Sequence, residues 1–252
     1  MRTKLVAANW KMNGSFQANR AWLEAFASAK IESEVAVCAP FVYLTQVVEA
    51  LRGSRAQCGA QNLSAEAPGA YTGEVAAEML VDCSVRWVIV GHSERRSRGG
   101  ESNSVVAAKA ARAVAHGLKP IICVGESLHE REQGRTLAVI TAQLAPILDA
   151  CAAGELAVSA IAYEPVWAIG TGQTATPQQA QEIHAAIRSL LARQDPGAAA
   201  RTRIVYGGSV RPSNAAELFG QPDIDGGLIG AASLSVADFV SICHCADRAT
   251  LH

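Results

Sequence analysis

Val158-Ser159-Ala160-Ile161-Ala162-Tyr163-Glu164-Pro165-Val166-Trp167-Ala168-Ile169-Gly170-Thr171-Gly172 is the stretch that sets the architecture. Its opening alternates and is apolar enough to read as a buried strand, and it delivers one carboxylate, Glu164, at its end. Pro165 then stops the ladder, because proline has no N–H to donate. Bulky apolar residues and a Gly-Thr-Gly tip follow. Thr176-Pro177-Gln178-Gln179 then opens a helix with an N-cap, a Pro at the first helical position and a capping-box Gln. Strand, loop, helix is the unit of a parallel sheet, since parallel strands need crossover helices. An acid at a strand mouth, followed by an apolar flap between stiff ends, is also what a water-excluding lid requires.

Working outward, the same unit recurs. Short β-rich runs occur at Leu5–Ala8, Val35–Ala39, Gln57–Ala60, Trp87–Gly91, Pro120–Val124, Ser159–Tyr163, Ile204–Tyr206 and Gly227–Ile229. Amphipathic stretches lie between them. One pairs Trp22, Phe26 and Ala29 behind a Ser15 cap, and another aligns Leu44, Val47, Val48 and Leu51. The longest stripe runs Leu137, Ile140, Leu144, Ile147, Leu148 and Cys151, with a kink expected at Pro146. Eight strands, each followed by a helix, predict an α/β fold, a single-domain (β/α)8 barrel over residues 1–252. A doubly wound open sheet is the alternative. It wants a glycine fingerprint after the first strand, and Asn9-Trp10-Lys11-Met12-Asn13-Gly14 is not one.

Composition narrows the function. Half of the 252 residues are hydrophobic and the net charge is −1, so no field favours nucleic acid or a membrane surface. Seven scattered cysteines predict free thiols in a reducing compartment. Neither a signal-peptide core nor a run of membrane-spanning length is present, and the expected location is cytoplasmic.

In such a barrel chemistry sits where strands end. The first strand offers Asn9 and Lys11; the fourth offers His92, Ser93, Glu94, Arg95 and Arg96; the sixth offers Glu164. The seventh ends in Gly207-Gly208-Ser209 and the eighth in Gly230-Ala231. Small residues let backbone N–H groups converge on an anion, so the last two endings predict a phosphate site. A carboxylate, an imidazole and an ammonium suit proton abstraction next to a carbonyl. Cys243-His244-Cys245 alone has anything like metal-ligand spacing, and on a helix i and i+2 point apart.

Ala8-Asn9-Trp10-Lys11-Met12-Asn13-Gly14, Gly91-His92-Ser93-Glu94-Arg95-Arg96, Ala162 to Gly172 and Tyr206-Gly207-Gly208-Ser209-Val210 together resemble the triosephosphate isomerase family. The resemblance extends through Gln61-Asn62, Ala70-Tyr71-Thr72-Gly73-Glu74 and Ile122-Cys123-Val124-Gly125-Glu126, and so covers nearly the whole chain. It implies a TIM barrel that interconverts dihydroxyacetone phosphate and D-glyceraldehyde 3-phosphate through an enediolate, in glycolysis and gluconeogenesis. Glu164 would be the base, His92 the electrophile, Lys11 the stabiliser of developing charge and Asn9 a hydrogen-bonding partner, with Ser93 and Glu94 supporting them. Gly170, Ser209, Gly230 and Ala231 would hold the phosphate. The lid would comprise Pro165, Val166, Trp167, Ala168, Ile169, Gly170, Thr171, Gly172, Gln173, Thr174 and Ala175. Thr72 would reach into a partner subunit, which implies a homodimer; no cofactor and no metal are implied. A neutral imidazole suits the electrophile, and a place near a helix start is expected to lower the pKa of His92.

Three departures from the family pattern stand out. Ala231 replaces the second glycine of a Gly-Gly pair, Gln173-Thr174-Ala175 stands where Lys-Thr-Ala is usual, and Gly99-Gly100-Glu101 replaces Phe-Gly-Glu. Two other readings stay open: a Schiff-base aldolase with Lys11 as nucleophile, and a silent barrel kept as an interaction partner. The first leaves Glu164 without a role. The second gives no chemical reason to retain Asn9, Lys11, His92 and Glu164 together.

Overall fold

Eight strands alternate with helices and close on themselves in a computed structural model that describes residues 2–168 and 174–250. The strands are β1 (Leu5–Asn9), β2 (Glu34–Ala39), β3 (Gln57–Ala60), β4 (Trp87–Val90), β5 (Lys119–Val124), β6 (Ala160–Tyr163), β7 (Arg203–Tyr206) and β8 (Gly226–Ile229). Each pairs in parallel with its neighbour in sequence, and β8 returns to β1 through Leu5↔Gly226 and Ala7↔Leu228. Every strand lies within a residue of its expected bounds at either end.

Alternation along each strand sorts the core into two layers. Leu5 and Ala7, Ala36 and Cys38, Trp87 and Ile89, Ile121 and Cys123, Ala160 and Ala162, Val205 and Leu228 pack together inside the barrel. The intervening residues, such as Val6, Val37, Val88, Ile122 and Ile161, face the helices. The inner set is rich in alanine and cysteine because the space enclosed by eight strands is narrow. All seven cysteines carry free thiols. Burial pushes the Cys58 thiol up to about 12 and also raises those of Cys38 and Cys123, so they serve as packing and not as nucleophiles.

The helix Phe16–Ala27 starts at Ser15, whose side chain accepts the Ala18 amide, and it buries Trp22, Leu23 and Phe26. Trp22 stacks on Phe26 at 5.0 Å, meets Trp10 edge-on at 5.3 Å and donates from Nε1 to Ser233 O at 3.0 Å. That cluster ties together the segments that follow β1 and β8. Thr136–Ala150 runs as one helix with Pro146 inside it, and its buried stripe is Ile140, Leu144, Ile147 and the adjoining Cys151. Leu137 is exposed and Leu148 half-buried, contrary to the expected stripe. At about 100° per residue both lie some 50–70° to one side of its centre. Short helices at Leu128–Glu132, Ala153–Leu156 and Pro196–Arg201 are too brief to show periodicity in sequence. His244 bonds to Lys30 O at 3.1 Å while Cys243 and Cys245 are buried, so this trio does not converge on a metal.

Candidate active site

Inside the C-terminal mouth of the barrel lies a cavity of about 760 Å³. Asn9, Lys11, His92, Glu94, Glu164, Ser209, Gly230 and Ala231 all line it, so residues from five strand ends meet. Lys11 has a φ of 53°, which a side-chain-bearing residue adopts at a cost of about 1–3 kcal/mol. Three bonds hold it there. Its amide donates to Asn9 Oδ1 at 3.1 Å, its carbonyl accepts from Gln61 Nε2 at 3.0 Å, and its Nζ donates to Glu94 Oε1 at 2.7 Å. The chain bends out of β1 in a strained conformation that turns the ammonium back over the barrel.

His92 caps the helix Ser93–Gly99, and its Nδ1 accepts the Glu94 amide at 3.2 Å. That bond leaves Nδ1 without a proton and puts the ring hydrogen on Nε2. Nε2 stands 3.0 Å from Glu164 Oε1, and Glu164 Oε2 accepts the Ser93 amide at 2.8 Å. Both side chains are buried. Burial pulls the His92 pKa down, but the Glu164 carboxylate, with Glu94 behind it, outweighs burial, and the net direction is upward. The lowering expected from the helix start is thus overturned by a carboxylate from β6. Glu94 feels the opposite balance: burial opposes its charge, and the Lys11 ammonium holds its carboxyl below the usual carboxylate range.

Two glycines leave the space that Glu164 occupies. A Cβ on Gly207 would lie 2.9 Å from Glu164 Cγ, and one on Gly125 would lie 1.7 Å from the Glu164 carbonyl oxygen. Across the cavity, Gly230 has an ordinary φ of −84° with ψ at −113°, and Ala231 opens the 3-10 turn Ala231–Leu234. Ala231 therefore lies in a helical turn, where its Cβ is tolerated, and the unusual angle at Gly230 is ψ.

The triosephosphate isomerase family model matches residues 4–246. Triosephosphate isomerase from Thiobacillus denitrificans is 57% identical over 248 residues, 98% of this chain and 100% of the relative. Those from Nitrosococcus oceani and Cupriavidus necator are 56% identical over 249 residues and 54% identical over 242, covering 98% and 96% of this chain and 100% and 99% of theirs. The chain belongs to the triosephosphate isomerase family.

Against the family pattern, the departure at Gly99-Gly100 is local. Gly100 takes a left-handed φ of 66° and closes the helix, and Glu101 beyond it still binds Lys109 at 2.6 Å and also Arg95. Ser93 contributes its amide to Glu164 and lies behind the cavity rather than in its lining. Thr72 is exposed on the loop after β3. Of the expected lid, Pro165 to Ala168 and Thr174 to Ala175 are described; Ile169, Gly170, Thr171, Gly172 and Gln173 lie outside the described residues, and so do the phosphate contact at Gly170 and the departure at Gln173.

Two features were not anticipated from sequence. Arg98 and Arg211 also line the cavity, adding cations near Lys11. Glu126, fully buried, accepts from Tyr163 Oη at 3.1 Å and Trp167 Nε1 at 3.0 Å on Oε1, and its carbonyl accepts the Val166 amide at 3.1 Å. Arg131 stacks 4.6 Å over the Trp167 ring and reaches the same carboxylate at 3.3 Å. The segment after Glu164 is thus pinned to a single buried acid. Gly125-Glu126 belonged to a matching motif, but only the fold reveals what the acid holds.

Proposed function

We propose that the chain interconverts dihydroxyacetone phosphate and D-glyceraldehyde 3-phosphate by moving a proton between adjacent carbons through an enediolate. The observation that carries this reading is the contact of a buried carboxylate, Glu164, with a ring nitrogen whose hydrogen is fixed by the Glu94 amide, in a cavity that also holds Lys11 and Asn9. A bound carbonyl takes the place of Glu164 beside His92 Nε2. Glu164 then turns to the carbon that bears the transferable proton. With the carboxylate gone, the main influence raising the His92 pKa is removed, and the ring donates as a neutral imidazole. Lys11 offsets the charge that develops on the enediolate oxygen, and Asn9 binds the same end of the substrate.

The phosphate is held at the opposite end by backbone amides of Ser209, Gly230 and Ala231 together with Gly170. The flap 165–175 closes over it and excludes water, with its described first part anchored at Glu126. The setting we assign is cytoplasmic triose metabolism, in glycolysis and gluconeogenesis. Lys11 is engaged by Glu94, and a Schiff-base aldolase would leave the buried Glu164 idle.

A second copy of the chain completes the assembly in this reading. Met12, 96% exposed beside Lys11, borders a groove of about 500 Å³ shared with Phe41, Gln61 and Arg98, which suits the projecting Tyr71-Thr72 loop of a partner. Sedimentation at nanomolar concentration tests it: a dimer is expected, and a fully active monomer would remove the dimer from the account. For the reaction, dihydroxyacetone phosphate is incubated with enzyme in deuterium oxide and followed by proton NMR. Loss of one hydroxymethyl proton signal together with formation of the aldehyde product is expected. Neither exchange nor product with wild type would refute the assignment.

A further inference from the structure

The N-terminal mouth of the barrel holds another cavity, of about 260 Å³, at the opposite end of the strands from Glu164. Arg2, Lys119, Arg201 and Arg203 line it with Thr3, and the one carboxylate in its wall is Glu34. Glu34 is already shared between Arg203 and Lys119, the latter at 3.0 Å. Arg2 is held at 2.7 Å by Asp225, which lies behind the wall and binds Arg188 at 2.6 Å as well. Asp223 likewise serves Arg188, at 2.5 Å. Lys4, buried nearby, bonds among the described residues to the carbonyls of Phe219 and Ile224. Four cations therefore line the recess against one carboxylate, in a chain whose net charge is −1. Arg201 is exposed, and its guanidinium has no partner among the described residues.

The cations are also held in place. Lys119 and Arg203 lie 5.0 and 5.1 Å over the ring of Trp87, which is fully buried, so an apolar floor keeps two like charges side by side. A cluster that served only to stabilise the barrel would match its charges. This one leaves a positive excess around a recess, where low-dielectric walls concentrate the field. Guanidinium groups present a planar fork that fits a tetrahedral oxyanion, and the recess is smaller than the pockets that take drug-sized ligands.

We propose that this cavity is a binding site for a compact phosphate-class anion, either free phosphate or the phosphate end of a monoester. Arg201 supplies the mobile contact, and Arg2, Lys119 and Arg203 form the fixed wall. A ligand there binds the folded chain alone and stabilises it by mass action without touching the catalytic end.

The test titrates inorganic phosphate and, separately, glycerol 3-phosphate into the nitrogen-15-labelled protein. The amides of Thr3 and Val158 report this cavity, and those of Gly208 and Ser209 report the other mouth. Saturable shifts at Thr3 and Val158 are expected, weakened at least fivefold in Arg201→Gln and further in Arg201→Gln with Lys119→Gln, with turnover unchanged in both. Tighter binding of phosphate would assign the site to the free anion, and equal or tighter binding of the monoester to a phosphorylated metabolite. Shifts that are absent, that sodium chloride reproduces at equal ionic strength, or that persist unchanged in Arg201→Gln would overturn the proposal.

Discussion

At the N-terminal mouth, the buried acid Asp225 accepts from Arg2 at 2.7 Å, from Arg188 at 2.6 Å and from the Ile204 amide at 2.9 Å. At the C-terminal mouth the equally buried Glu164 takes one amide and faces a single imidazole, while Lys11 beside it sits in a left-handed conformation. The two ends draw on the same residue types. One joins them, around Asp225, in satisfied, mutually reinforcing bonds that hold strands in register. The other keeps an acid incompletely partnered and a backbone strained, so that a substrate can do what the protein leaves undone. If this division is right, substitutions at one end change stability and substitutions at the other change chemistry.

The sharpest way to break the comparison is Asp225→Ala. It removes one acceptor each from Arg2, from Arg188, which keeps Asp223, and from the Ile204 amide, and breaking a buried ion pair costs about 3–5 kcal/mol. Urea unfolding should show a loss of that size while kcat of the folded protein stays at the wild-type value. A parallel fall in kcat would mean the two ends are not separate.

His184 lies between the mouths. Its ring packs 5.9 Å from Tyr163, and its Nδ1 meets Asp223 O at 3.2 Å. Burial lowers its pKa to about 4. Because the folded value lies below the unfolded one, the contribution of the neutral ring is complete above about pH 6.5 and is lost as pH falls towards 4. That amounts to about 3 kcal/mol across the window. Unfolding free energies measured from pH 7 to pH 4 should decline accordingly, and His184→Gln should flatten the slope.

A smaller effect is expected at Lys11. Lys11→Gly and Lys11→Ala both lose the ammonium, so both should lose turnover, but only glycine relieves the φ of 53°. The glycine variant should be the more stable of the two by about 1 kcal/mol or more in urea. Equal stabilities would show that the strain is not there. Smallest of all is Ala231→Gly. The alanine opens a 3-10 turn, where a Cβ is tolerated, and calorimetric affinity for 2-phosphoglycolate should change by less than about threefold.

The strands and the barrel could be read from sequence because alternation between an inner and an outer core is a property of each strand by itself. Ala160-Ile161-Ala162-Tyr163 carries it without knowledge of its neighbours. The convergence of Asn9, Lys11, His92 and Glu164 followed, since a closed parallel barrel brings all strand ends to one mouth. What depended on distant partners could not be read. The direction of the His92 pKa is set by Glu164, and the role of Glu126 by Trp167 and Arg131. The basic recess draws on residues from the starts of several strands and the end of a short helix, none of them notable alone.

The central claim is that Glu164 is the base at the C-terminal mouth, and it is tested most directly by steady-state kinetics with glyceraldehyde 3-phosphate for wild type, Glu164→Asp and Glu164→Gln. Shortening the side chain by one methylene retracts the carboxylate by roughly an ångström, and misplacement of that order costs about a hundredfold. The account predicts that kcat of Glu164→Asp falls by about that factor while KM changes far less, and that Glu164→Gln falls further. Near wild-type turnover by Glu164→Gln would contradict it.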